Sequence, residues 1–116
     1  ITNDYAEALE YYSKNKFKDI YIPIIRFYAK AYAKLVHGME GAPFHDLLTV
    51  YSAVHQERMQ YLAKKVHVVV EGKTRGKSFA DFRHMESDDE SKHHIALGFD
   101  YEHFLQEVFQ TLTRPL

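Results

Sequence analysis

The sequence predicts a mainly α fold: a single four-helix domain with one β-hairpin, over residues 1–116. Three observations carry that expectation. Apolar residues recur at helical spacing through most of the chain. The period changes in one place, where Val66-His67-Val68-Val69-Val70 meets Gly72 and Gly76. Gly41-Ala42-Pro43 and Arg114-Pro115 punctuate the helical runs.

The elements follow in order. Asp4 with Glu7 three residues on is a capping-box-like start, and Tyr5, Ala8, Leu9 and Tyr12 then share a face, which predicts a helix from about Asp4 to Lys14. A second helix starts near Ile22, where Pro23 is tolerated because first-turn amides have no intrahelical acceptor. Ile24, Phe27, Tyr28, Ala31 and Leu35 form one stripe of it and Ile25, Tyr32, Val36 and Met39 another. Arg26, Lys30 and Lys34 make a basic ridge beside them. Pro43 opens a third and longest helix, expected to run to about Lys65 on the rhythm of Leu48, Tyr51, His55, Met59, Leu62 and Val66. The hairpin occupies 66–83, because β-branching lowers helix propensity and glycines bound the run. Ser87 or Asp88 caps a last helix to about Thr113, with Asp88, Asp89 and Glu90 in the first turn, where the helix dipole favours negative charge. Two arrangements fit: a winged-helix-like unit built from helices two and three with the hairpin, or a decorated helical bundle.

Bulk properties narrow the function. A chain of 116 residues is long enough for one hydrophobic core. The absence of cysteine excludes disulfides, thiol chemistry and Cys-type zinc sites, and fits a reducing, cytoplasmic setting. No apolar run approaches the roughly 18 residues a membrane span needs. The chain opens on Ile1 rather than Met, so an upstream segment can be missing. Residues 1–78 hold twelve Lys and Arg against eight Asp and Glu, and residues 79–116 hold three against eight. A basic front and acidic back suit either a polyanion partner or self-association as a homodimer.

Lys73, Arg75 and Lys77 alternate across a Gly-flanked turn, with Lys64 and Lys65 just upstream. Such a loop can approach a phosphate backbone and neutralise two or three of its charges. The leading expectation is therefore a non-enzymatic regulatory or adaptor module that binds nucleic acid through this basic tip and needs no cofactor. The main alternative is a helical protein-protein interaction module, since nine Tyr and eight Phe supply amphipathic rings.

Other constellations compete with these. His37-Gly38-Met39-Glu40-Gly41-Ala42 resembles the motif of histidine-phosphotransfer domains, which are four-helix bundles, and so makes phosphotransfer at His37 a second alternative. Glu40 stands where that family has Lys, and a carboxylate there repels a phosphoryl group. Gly72 to Ser78 is one residue short of a P-loop, and too little chain follows for a nucleotide-binding sheet. Lys14, Lys16 and Lys18 interleave with Tyr11, Tyr12 and Phe17, a spacing that could stack single-stranded bases but also suits boundary rings. Asp81, Glu90 and Asp100 each precede a His by three residues, and His93 and His94 with Asp89 and Glu90 are weak candidates for a loosely bound metal. His45-Asp46 resembles the dyad of metal-dependent phosphohydrolases, but the further ligands that family needs are missing at the required spacing, so the pair is set aside.

Overall fold

The computed structural model describes residues 1–88, 90 and 93–116; Asp89, expected in the first turn of the last helix, lies outside them. The elements are α1 (Asn3–Tyr12), α2 (Lys18–Leu35), α3 (His45–Val54), a 3-10 turn (Gln56–Arg58), β1 (Met59–Ala63), β2 (His67–Val68), β3 (Ser78–Phe79), β4 (His94–Phe99) and α4 (Tyr101–Thr113). They divide into two compact units, Ile1–Val54 with Tyr101–Leu116, and His55–Asp100.

The first unit is helical. Thr2 caps α1 by accepting the Tyr5 amide on its hydroxyl at 3.2 Å, two residues before the expected cap Asp4. Leu9 is fully buried and meets Ile22 and Ile25 of α2, with Tyr5, Tyr21, Phe44, Phe109 and Leu112 packed around them. The α2 helix begins at Lys18, before the expected Ile22. The Lys18 amide donates to the Asn15 carbonyl, and the Ile20 and Tyr21 amides to that of Phe17. Pro23 thus lies past the first turn and withholds one amide from Asp19, on an exposed side of the helix where water can take that carbonyl.

The segment between α1 and α2 closes the far end of α4. The last carbonyls of a helix have no partner within it. Here the Leu112 carbonyl lies 2.8 Å from the Ser13 hydroxyl and 2.7 Å from that of Tyr21, and the two hydroxyls are 2.5 Å apart. Three oxygens share two protons, so one hydroxyl must donate to the other or to the carbonyl in turn. The Lys14 amide donates to Thr113 at 3.1 Å and the Asn15 side chain to Thr111 at 3.5 Å. Tyr5 adds a bond from its phenol to the Leu105 carbonyl at 2.5 Å, and burial pushes that phenol up to about 12.

The second unit corrects the expected fold. No third helix continues to Lys65: α3 ends at Val54, and after the 3-10 turn the chain extends as β1. Nor does the last helix begin at Ser87 or Asp88, since β4 occupies His94–Phe99 and α4 starts only at Tyr101. The two strands pair antiparallel, with Met59 opposite Phe99 and Ala63 opposite His94. Pairing between segments this far apart in sequence overrides a local 3-4 spacing. Tyr61 and Leu62 are good strand formers, and Leu62 is buried in the ladder. Leu97 is an extra residue on β4, a bulge between the Gln60–Gly98 and Tyr61–Ala96 pairs. The result is an α/β chain, neither winged-helix-like nor a decorated helical bundle.

The other ladder is short. His67 pairs with Phe79 and Val68 with Ser78, within the 66–83 stretch. The His67 ring stacks on Phe79 at 5.3 Å. Beyond it, Asp81 accepts the Arg83 amide and guanidinium, which ends the extended run in a local turn and holds the Asp81 carboxyl well below the usual carboxylate range. Lys64 is buried, and its ammonium lies 3.2 Å from Asp88, whose second oxygen accepts the Lys65 amide at 3.1 Å. Among the described residues no helix is long and apolar enough to cross a membrane.

Two outcomes follow from these contacts. Tyr21→Phe should cost about 1 kcal/mol in urea unfolding, the net value of one hydrogen bond, whereas Leu9→Ala should cost about 2–5 kcal/mol as a buried cavity. Equal losses would contradict the ranking. The Lys65 amide, and then Lys64, hold the Asp88 carboxyl below its ordinary value. A carboxyl with a lower pKa in the folded state stabilises it above the unfolded pKa, and that contribution fades as pH falls from about 4 through the folded value. Asp88→Asn should therefore weaken acid sensitivity of amide exchange in residues 59–68, and an unchanged pH profile would count against the contact.

Candidate functional site

The start of α3 presents two titratable side chains in sequence, His45 and Asp46, both exposed. What holds them is the segment before the helix. Gly41 has φ +151° and forms a bridge with Thr2, and a Cβ built on it would lie 2.0 Å from the Ile1 carbonyl oxygen. Only glycine permits that approach. The next residue, Ala42, is buried and donates its amide to Ile1 at 2.8 Å. Pro43 stiffens the path, and Phe44 packs against the Leu9 cluster. The Phe44 carbonyl then accepts the Leu48 amide at 2.9 Å and so opens the helix. His45 and Asp46 therefore project from a helix N-terminus whose backbone is pinned on both sides, and such a terminus favours negative charge nearby.

The other end of α3 is anchored as well. Tyr51 is buried, with its ring edge-on to Phe104 at 5.2 Å and its hydroxyl 2.8 Å from His103 Nδ1. His103 in turn lies 3.7 Å from Glu107, one turn along α4. The helix that carries His45 and Asp46 is thus fixed to α4 by a buried aromatic contact and a side-chain hydrogen bond.

The residues singled out from the sequence are dispersed. Lys64 is buried against Asp88 and cannot reach a phosphate without leaving its pair. Lys65 is exposed, and so are Lys73, Arg75 and Lys77 on the turn between β2 and β3. That turn is closed by backbone bonds from Arg75 to Gly72, Lys77 to Thr74 and Gly76 to Val69. His37 sits in the turn after α2 rather than on a helix. His93 accepts the Val66 amide at 3.4 Å, and His94 lies in β4 with its ring 6.3 Å from Tyr61. Among the described residues no three His, Asp or Glu side chains gather as a metal site would require.

Comparison with known proteins decides between these possibilities. The family model described as inosine-uridine preferring nucleoside hydrolase matches residues 1–106. The chain belongs to that family. Among solved structures, a purine-preferring ribonucleoside hydrolase from Gardnerella vaginalis is 27% identical with a TM-score of 0.77, over 97% of this chain and 35% of its own. A plant nucleoside hydrolase matches with a TM-score of 0.79 at 21% identity, over 99% of this chain and 37% of its own, which shows the fold alone. No curated protein matches. The chain spans about a third of the length of these solved hydrolases.

Membership in the nucleoside hydrolases corrects the functional expectations. The family and its structural neighbours are enzymes, so a non-enzymatic regulatory or adaptor module that binds nucleic acid is overturned. The helical protein-protein interaction reading and phosphotransfer at His37 fall with it. A solvated turn and a phosphate-binding tip have the same sequence signature, so the cations of the 73–77 turn do not by themselves tell the two apart. In the sequence, Gly41-Ala42-Pro43 just before Phe44-His45-Asp46 marks a constrained helix start.

Gly41→Ala puts a methyl group into the Ile1 carbonyl. It should expose the Ala42 amide to hydrogen exchange at least about tenfold faster, the result of losing roughly 1.4 kcal/mol of local stability. Gly38→Ala meets nothing within 4 Å but keeps a positive φ, so it should leave Ala42 protected. Equal effects would sink the argument for close approach at Gly41.

Proposed function

We propose that this chain forms part of a nucleoside hydrolase, and that His45 and Asp46 supply acid-base chemistry for cleaving the bond between ribose and nucleobase. The substrate class is that of the family and of the Gardnerella vaginalis relative, namely ribonucleosides. The single observation that supports the residue assignment is the exposed His-Asp pair on a backbone pinned at Gly41 and Phe44.

The chemistry asks for both residue types. When the C1′–N bond breaks, its electron pair leaves with the base and positive charge develops on the sugar. Protonating the departing base lowers the barrier, and an imidazole exchanges protons near neutral pH. A water then forms the new bond to C1′ and gives up a proton, which a carboxylate can accept or whose approach it can orient. Adjacent residues on a helix point about 100° apart. His45 and Asp46 can therefore address different atoms of one substrate, His45 the base and Asp46 the sugar side, without competing for the same proton.

The test co-expresses this chain with the part of the Gardnerella vaginalis hydrolase that it does not match, and follows free base released from inosine, uridine and adenosine by chromatography. His45→Ala should lower kcat by about 10²- to 10⁴-fold, the usual contribution of a positioned general acid. Asp46→Asn should also depress kcat, while His37→Gln should leave it unchanged. A complex of the right mass that releases no base, or one whose activity survives His45→Ala, would refute the assignment.

A further inference from the structure

The α2 helix has a second apolar stripe that is exposed among the described residues. Its buried face consists of Ile22 and Ile25, which meet Leu9 of α1. Beside that face Ile20, Ile24, Phe27, Tyr28 and Leu35 are exposed by 60%, 51%, 70%, 47% and 77%. At 3.6 residues per turn these five, with Ala31 between them, fall within an arc of about 100°. Lys30 and Lys34 edge that arc on one side, so the surface has an apolar centre and a charged margin. The two stripes adjoin through Tyr21 and Tyr32, so this 18-residue helix is apolar over more than half its circumference while only the Ile22–Ile25 part is buried, the pattern of an element that takes more than one neighbour. Large contiguous apolar patches of this kind are uncommon on finished surfaces.

We infer that this stripe is the seam on which the rest of a nucleoside-hydrolase fold docks, and that its occupant is the complementary segment this chain does not contain. The length of the relatives argues for that occupant over a second copy. Each solved hydrolase matches nearly all of this chain, yet this chain fills only 35% and 37% of them. The remaining two-thirds of such a chain must pack on some surface of this one, and α2 offers an exposed apolar stripe beside its covered one. The inference rests on family membership and is independent of the roles given to His45 and Asp46.

The same co-expressed pair tests it, with mass and affinity rather than base release as the readout. Light scattering should find this 13.6 kDa chain in a one-to-one complex with the complementary segment. Ile24→Asp and Phe27→Asp should each weaken that complex by roughly tenfold or more, as charges placed in a desolvated interface do. Both positions are exposed in this chain alone, so the variants should keep its circular dichroism and melting temperature. Lys73→Ala on the hairpin turn should bind as the parent does. Three results would overturn the proposal: a homodimer that the complementary segment does not displace, no association at all, or full binding by the Asp variants. A complex that assembles through the stripe but releases no base would count against the catalytic assignment alone.

Discussion

The first unit depends on how the C-terminal carbonyls of α4 are satisfied. They cannot be bonded within the helix, and leaving them dry costs more than a hydrogen bond is worth. Ser13, Lys14, Asn15 and Tyr21 answer them from a segment nearly a hundred residues away. That arrangement sets the ends of α1 and α4 side by side and starts α2 from the same loop. Leu9 is fully enclosed as a result, because α1 meets α2 on one side while Phe109 and Leu112 of α4 close the other. Polar contacts choose the arrangement here, and apolar burial supplies most of its free energy.

Order at the candidate site follows from the same frame. Phe44 belongs to the Leu9 cluster, so the chain entering α3 is tied to the core one residue before His45. Gly41 and Ala42 tie it again through Thr2 and Ile1. At the far end Tyr51 joins α3 to His103 and Phe104. The proposed acid-base pair would gain from such support, since misplacement of about an ångström costs rate steeply. The exposed stripe of α2 belongs to a different part of the same logic. A helix apolar over more than half its circumference needs more than one neighbour to cover it.

The candidate site was partly legible. His45-Asp46 could be read as a pair, and Pro43 as a helix start, but the role of Gly41 depends on Ile1, forty residues away, which no local pattern reveals. Charge on the basic turn is visible in the sequence, whereas burial and pairing are not. Lys64 shows the difference: it reads as a surface cation and is buried against Asp88.

Local sequence determined the helical stripes of α1 and α2, the turn glycines and the change of period near Val66, because each depends on residues within a few positions of one another. Only the tertiary structure decided that 59–63 and 94–99 are strands. Met59 to Leu62 fits a helical rhythm and a strand alternation equally well, and the deciding energy is the backbone pairing of two segments over thirty residues apart. The same holds for the carbonyls of α4, whose partners lie at the other end of the chain. Long-range hydrogen bonds leave no periodic trace in sequence, so they appear only once the chain is folded.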